Sequence, residues 1–422
     1  MNIAMVGIGG YGQLYVDALL GRDAADGIRL VAGVDPHTQG LRTFGLLQDR
    51  GVPVFATLAQ MYDAGLTPDL VIIASPLHLH ADQTVMALER GSHVLCEKPL
   101  AATPQDAARM IAARDRTGRM LAVGFQWAFA ANIQRLKADL VACRFGRPVS
   151  LRNKVYWPRG YAYYGRNRWA GRLTADDGSP VLDSPVNNAC AHFIHTMLDL
   201  VGDACHTSDW PATVTAELYR ANAIENYDTA VFRCRTVGGV ELLAAVSHAT
   251  EQTVEPTFDF RFEAGRIVSD ASTEYRLIAT HDDGAQTDYG PQPTGYDVDK
   301  LWSMIDSIRT GRPPAGTAES AAAHTALTAA VQASGTVTEF APAYVTETEN
   351  GGGLSVRGLD AVLDRCYADG LLPSEFGVAW ARPGRTVHVD QIGHLASPSV
   401  TLHRPALRPK RRASETDAVP LS

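Results

Sequence analysis

The feature that most constrains this chain is the glycine turn at its start. An apolar run, residues 2–6, leads directly into Gly7-Ile8-Gly9-Gly10-Tyr11-Gly12, and Leu14, Val16, Ala18, Leu19 and Leu20 continue with helical character. A GxGxxG between a strand and a helix has a physical purpose. Gly7 allows the tight turn, Gly9 lets the backbone approach a pyrophosphate, and Gly12 lets helix and strand pack closely, with the helix N-terminus facing the phosphate charge. A second buried strand, residues 28–34, ends in Asp35. A carboxylate there is placed to accept both ribose hydroxyls of an adenosine and repels a 2′-phosphate, which predicts NAD rather than NADP.

The alternation continues. Residues 69–74, 93–96 and 120–123 read as strands, 58–64 and 81–90 as helices, and Thr103-Pro104 as the N-cap and first position of a helix that runs to Gly118. Strands alternating with helices of this length predict an α/β doubly wound parallel sheet. Ligands of such sheets sit at the carboxyl ends of the strands, where Gly7–Gly12, Asp35, Ser75-Pro76 and Glu97-Lys98-Pro99 all fall. The 422 residues exceed one compact core and predict two domains.

Composition narrows the partners. The chain is 45% hydrophobic and 20% charged, with a formal charge of −8. That is a globular balance, and its sign argues against a nucleic-acid or anionic-membrane partner. No run of about 18 apolar residues predicts a membrane span, and no basic leader precedes the first apolar run. The six cysteines are scattered without a CxxC, so neither a disulfide framework nor a metal site is expected, and a reduced, cytoplasmic home is. Only five of the 38 basic residues are lysines. Where this chain keeps a lysine, the amine itself is a candidate for function.

A second constellation runs from Asp183 to His195. Ser184 can cap a helix, Pro185 suits its first position, and Gly202 reads as its stop. Asn188, His192 and His195 stand at i, i+4 and i+7 and share a helix face. Ahead of them Tyr161, Tyr163, Tyr164, Arg166, Asn167, Arg168, Trp169 and Arg172 crowd one loop. Aromatic faces stack on sugar C–H surfaces and arginine forks hold hydroxyls or anions. Residues 213–219, 230–235, 240–246, 258–262 and 275–279 read as strands of a second sheet, closed by helices over 296–309 and 318–333.

The chain resembles the Gfo/Idh/MocA family of glucose–fructose oxidoreductase, inositol dehydrogenase and the rhizopine-catabolism oxidoreductases. The resemblance rests on the GxGxxG with its strand-end acid, on Ala74-Ser75-Pro76-Leu77-His78-Leu79-His80 leading through Gly91–Cys96 to Glu97-Lys98-Pro99, and on Val123-Gly124-Phe125-Gln126 followed by the helix carrying His192. It covers about residues 1–335. It implies a Rossmann domain followed by an α+β domain with a large mixed, open-faced sheet, through which a homodimer or homotetramer would form. It also implies a cis bond before Pro99. The domains expected are 1–125 for NAD, 126–345 for substrate and oligomerisation, a C-terminal extension at 346–403 with Gly351-Gly352-Gly353 as a flexible joint, and a basic, disordered tail at 404–422.

The resemblance further implies an NAD-dependent oxidoreductase that moves hydride between nicotinamide and a secondary hydroxyl or keto carbon of a sugar, cyclitol or sugar derivative. Alternatives of the same family type are an NAD-dependent glycosidase or lyase and a non-catalytic cofactor-binding regulator. His192 is expected to accept the hydroxyl proton and Lys98 to polarise the oxygen. Asn188 stands where many members carry an aspartate, and so does His195; Asp183 is the candidate for the missing charge. The cofactor set is Gly7, Ile8, Gly9, Gly10, Tyr11, Gly12, Asp35, Ser75, Pro76, His78, Glu97, Lys98 and Gln126. The substrate set is Lys98, Tyr164, Arg168, Trp169, Asn188, His192 and His195.

Overall fold

A computed structural model describes residues 1–21, 27–293, 298–348 and 351–394. The tail expected to be disordered, the end of the extension and the first residues of the helix expected from 296 lie outside these residues.

The N-terminal sheet contains β1 (Asn2–Val6), β2 (Arg29–Val34), β3 (Val54–Phe55), β4 (Leu70–Ile73), β5 (His93–Cys96) and β6 (Leu121–Val123). All are parallel, in the order β3-β2-β1-β4-β5-β6. The connecting helices are α1 (Gly12–Leu20), α2 (Arg42–Asp49), α3 (Leu58–Asp63), α4 (His80–Glu89) and α5 (Pro104–Thr117). Thr103 caps α5 by accepting from Asp106 N, and Gly118 ends it in the left-handed conformation, the chemistry expected of Thr-Pro and Gly at those places. β4 is buried along its whole length, as a central parallel strand must be with helices on both faces.

After α6 (Ala131–Val141) and β7 (Pro148–Tyr156) come α7 (Tyr161–Tyr164), a π-turn (Pro185–Ala189) and α8 (Ala191–Leu200). The large sheet is completed by β8 (Pro211–Arg220), β9 (Thr229–Thr236), β10 (Glu241–Ser247), β11 (Val254–Phe262), β12 (Gly265–Ser269), β13 (Arg276–His281) and β14 (Gln286–Pro291). Then follow α9 (Asp299–Thr310), α10 (Ala318–Ser334), β15 (Thr338–Glu339), the hairpin β16 (Val345–Glu347) and β17 (Leu354–Val356), α11 (Leu359–Asp369) and β18 (Val387–His388). The mixed sheet runs β14-β13-β12-β11-β7-β10-β9-β8-β15, with β18 also paired to β8. β7 pairs β10, and β15 pairs β8, in parallel. Inward residues such as Leu151, Val155, Leu242, Val246, Phe258 and Phe260 form one core with Phe193, Ile194 and Met197 of α8 and Leu327 and Val331 of α10. That core fixes α8 against the sheet and so sets where its histidines stand.

Three expectations need correction. First, the two closing helices pack on the parallel sheet as well: Leu301, Met304 and Ile305 of α9 enter the core on one side of it, and Ala318, Ala321 and Ala322 of α10 that on the other, while Leu327 and Val331 of α10 join the core of the mixed sheet. Second, the outer face of the mixed sheet is not open over its central strands. Tyr156, Val231, Ala245 and Tyr219 are buried there against Phe340 and against Leu359, Leu363, Cys366 and Leu372 of the extension. Polar groups fasten the same contact: Lys154 pairs with Asp364 at 2.6 Å, Arg233 with Glu375 at 2.7 Å, and Ser374 donates to Glu217. Third, the three glycines are not a free joint. They end the β16–β17 hairpin, where Gly353 bridges Gly160 and Gly352 O accepts from Tyr161 N at 2.8 Å. A Cβ on Gly160 would lie 2.1 Å from Gly352 O, so both backbones need glycine to meet.

Candidate active site

The site is assembled at the carboxyl ends of the parallel strands. In the glycine turn, Gly7 has φ +80°, and a Cβ on it would lie 2.7 Å from Ala74 O; one on Gly12 would lie 1.8 Å from Gly7 O. The turn therefore exists only with glycines. Asp35 ends β2 and accepts from Ile8 N at 3.1 Å and His37 N at 2.9 Å. The acid thus borders the same turn, as recognition of an adenosine ribose beside a pyrophosphate requires. Ser75 donates to Gln83 at 2.5 Å, Pro76 is exposed and His78 is half-buried beside it. Tyr11 and Gln126, from the first and last turns of the domain, meet through Tyr11 OH and Gln126 Oε1 at 3.5 Å. Glycine turn, ribose acid and strand-end loops thus fit a dinucleotide.

Glu97, expected to meet the cofactor, faces inward instead. Its Oε1 lies 2.6 Å from Lys300 Nζ of α9 and accepts from Tyr15 OH at 2.5 Å. Lys300 also donates to Tyr11 OH at 3.0 Å and to Gly124 O. Glu97 is therefore a buried anchor that ties α9 beneath the β5 loop. His80 is a second anchor the sequence reading did not assign. Its two ring nitrogens face Pro99 O at 2.9 Å and Ser75 O at 3.0 Å, so it joins the two loops that flank the nicotinamide end of the crevice. The Lys98–Pro99 bond is cis, as the resemblance implied.

Lys98 leaves this loop toward the second domain. Its Nζ donates to Asn188 O at 2.9 Å and Asn188 Oδ1 at 3.1 Å. Asn188 Nδ2 in turn donates to Asp183 Oδ1 at 2.8 Å, and Asp183 is 3.6 Å from Arg166. Ser184 caps the π-turn by accepting from Asn187 N, and the wide turn swings Asn188 toward Lys98 just before α8 begins. Burial pushes the Lys98 ammonium down to about 8, with Lys300 adding to the fall and Glu97 opposing it. His192, half-exposed on the first turn of α8, is held well below its ordinary value by burial and by the cations Lys98 and Lys300. It is neutral at neutral pH, and no partner meets its buried Nδ1 among the described residues. Burial raises Asp183, against the pull of the Gly171 N–H, Arg166, Asn188 and Lys98.

Two residues of the expected substrate set stand elsewhere. His195 is buried, its ring stacked on Phe125 with centroids 4.0 Å apart and its Nε2 3.0 Å from Ser320 Oγ. Asn188 lies in the π-turn outside α8, and one turn past His192 the helix meets the core at Phe125 and Ser320. Arg168 points to solvent, its side chain 88% exposed and paired with Asp176. Of the other expected substrate residues, Tyr164 has its OH 3.4 Å from His248 Nδ1, and Trp169 lies under the Arg166 guanidinium.

The glycine turn, the strand-end acid and a lysine bonded to the turn that precedes His192 define a dinucleotide-binding Rossmann protein with a mixed-sheet partner domain. Residues 1–125 match the model of the GFO_IDH_MocA oxidoreductase family, NAD-binding Rossmann fold. The chain is 44% identical over 73 residues to D-glucoside 3-dehydrogenase of Escherichia coli, covering 17% of this chain and 21% of that protein. It is 34% identical over 152 residues to inositol 2-dehydrogenase of Streptomyces avermitilis, covering 36% and 43%. The matched stretches thus span less than half of either relative. In fold it is similar to the WlbA dehydrogenase of Bordetella pertussis, solved with NADH and UDP-GlcNAcA (TM-score 0.63, 23% identity, 78% of this chain and 95% of that one). A levoglucosan dehydrogenase solved with NADH is similar at the same TM-score, with 17% identity and the same coverage.

Proposed function

We propose that this protein is an NAD-dependent dehydrogenase acting on a secondary hydroxyl of a sugar, cyclitol or sugar derivative. The observation that carries the reading is Lys98, held by Asn188 one helical turn before His192, at the mouth of a dinucleotide crevice. NAD, when bound along Gly7–Gly12 and Asp35, supplies the hydride acceptor. The residues supply the rest. His192, neutral and part-exposed, takes the hydroxyl proton on Nε2. Lys98, still charged at neutral pH, donates to the developing alkoxide and stabilises it where water is excluded. Asn188 and Asp183 aim the ammonium, and Tyr164 and Trp169 offer ring faces to the substrate.

The relatives named as acting on glucosides and inositol, and the neighbours solved with NADH, support this reading. A cytoplasmic setting is part of the proposal, supported by free cysteines at 96, 143, 190, 205, 234 and 366. No helix among the described residues is long and apolar enough to cross a membrane. The homodimer or homotetramer expected from an open sheet face is not part of it, because the extension covers the centre of that face. The test is NADH fluorescence with NAD and a panel of sugars and inositols. Turnover by the wild type and a loss of at least about a hundredfold in Lys98→Ala support the proposal; an inert panel, or a fully active Lys98→Ala, refutes it.

A further inference from the structure

Arg159 lies where β7 turns into the α7 loop. Its backbone is fixed by Arg159 N donating to His248 O at 2.9 Å. Its guanidinium lies 5.5 Å from the Trp157 ring centre and 5.0 Å from that of Tyr163. Its Nε is buried without an acceptor, and among the described residues no carboxylate pairs with it. Its neighbours in the same loop are all paired: Arg166 with Asp183, Arg168 with Asp176, and Arg172 with Asp176 and Glu225. Arg159 alone in this segment is a half-buried cation without a carboxylate partner, and a buried N–H left without an acceptor is a costly arrangement to keep.

The position of Arg159 relative to the reacting groups follows from a chain of contacts: Arg159 and Arg166 share the Tyr163 ring, Arg166 lies 3.6 Å from Asp183, and Asp183 holds Asn188, which holds Lys98. Arg159 and Lys98 both act on the buried Cys190 thiol and pull it down against its burial. Arg159 and Arg166 together depress His248, pushed down to about 3 chiefly by burial. The ring of Tyr163 is flanked by both arginines, Arg166 at 3.7 Å. This cluster thus carries Lys98, Arg159 and Arg166 against Asp183, while Glu97 is taken up by Lys300, Glu255 accepts from the Trp157 indole and Asp228 from the Asn222 amide.

We propose that Arg159 receives an anionic group of the substrate, a carboxylate or a phosphate, so that the substrate is an acidic or phosphorylated derivative of a sugar or cyclitol rather than a neutral polyol. This rests on the dehydrogenase reading above for the position of the reacting carbon, not for the anion site itself. A planar fork matches both oxyanions with two parallel N–H donors. The rings of Trp157 and Tyr163 hold the guanidinium flat and reduce the rotamer freedom lost on binding. His248, kept neutral, adds no charge of its own.

The test is calorimetric binding of D-glucuronate, D-glucose 6-phosphate and D-glucose to the NAD-loaded protein, with NADH formation read in the same samples. In the wild type at least one of the two anions binds about tenfold or more tightly than glucose, the range of a charge-assisted hydrogen bond. Which anion wins distinguishes carboxylate from phosphate. Arg159→Gln abolishes that preference, and Arg159→Lys restores part of it by keeping the charge without the fork. Unchanged melting temperatures show that both variants are folded. Equal binding of the three ligands, absent binding of all three, or a preference that survives in Arg159→Gln overturns the proposal. An anion that binds through Arg159 yet forms no NADH leaves the anion site standing and counts against the dehydrogenase reading instead.

Discussion

Asn188 presents Lys98 with its main-chain and its side-chain oxygen at once, at 2.9 and 3.1 Å from the same ammonium. The lysine is therefore aimed by an uncharged residue, and its charge is balanced without direct contact, by Glu97 and, through Asn188, by Asp183. With the Lys98 ammonium lowered to about 8, the active, charged form is complete below that pH and lost as pH rises through it. We expect the oxidation rate to fall on the alkaline side with a midpoint near 8. A Lys98→Arg variant, which cannot titrate there, loses that limb; a limb that persists in it assigns the titration elsewhere.

His192 and His195 lie three residues apart with opposite roles. His192→Ala is expected to cut turnover by at least about a hundredfold, as for a lost general base. His195→Ala acts on stability instead, since it removes a ring stacked on Phe125 and bonded to Ser320. Asn188→Asp puts a carboxylate beside the cations that hold His192 down, so the His192 value rises. The acidic limb of the pH–rate profile then moves to higher pH, because the base must be unprotonated to act. Full-range pH profiles of the three variants check all of this together.

Lys300→Met strands the Glu97 carboxylate in the interior, with only Tyr15 OH and the Lys98 N–H left as donors. Breaking a buried pair in this way costs about 3–5 kcal/mol, measurable as a lower urea midpoint. Tyr15→Phe removes one hydrogen bond to the same oxygen and is expected to cost about 1–3 kcal/mol.

Asp35→Ser removes the carboxylate at the end of β2 while leaving the glycine turn intact. The preference for NAD over NADP should narrow by at least about tenfold, one charge-assisted interaction in size. Titration of both dinucleotides by fluorescence decides it, and an unchanged ratio places the ribose contact on another residue.

The covered sheet face makes its own prediction. Leu363 is fully buried between α11 and the sheet, so Leu363→Asp should release the extension. Tyr156, Val231 and Ala245 then form an exposed apolar patch of the kind that drives association. Light scattering should report a mass that grows with concentration in the variant and not in the parent.

Much of the architecture was legible from local chemistry. Thr103-Pro104, Ser184-Pro185 and Gly118 carry their capping roles in their side chains, and the strands at 213–219, 230–235 and 240–246 announced themselves by apolar and β-branched content. Lys98 and His192 were proposed through motif and register. What stayed hidden was set by tertiary partners. Nothing in Glu97-Lys98 tells which of two adjacent charges turns inward; that depends on Lys300, 203 positions away, whose one clue was the scarcity of lysine. His195 shares a helix face with His192, but periodicity does not say how deep along the face the core begins. The extension looked peripheral because its apolar residues are spaced for a short amphipathic helix, and a helix does not name the surface it will cover.

The meeting of Gly160 with Gly353 joins two things that the chain separates by almost two hundred residues. The loop carrying Arg159, Tyr163 and Tyr164 is hydrogen-bonded to the hairpin of the extension through Tyr161 and Gly352, so the conformation of one is coupled to the docking of the other. Any ligand that orders the loop must protect α11 from proteases by the same free energy with which a docked α11 tightens that ligand. The sheet covering is thereby a thermodynamic part of the crevice, and a chimera that exchanged it for a relative's C-terminus would change affinity without altering a residue that touches substrate.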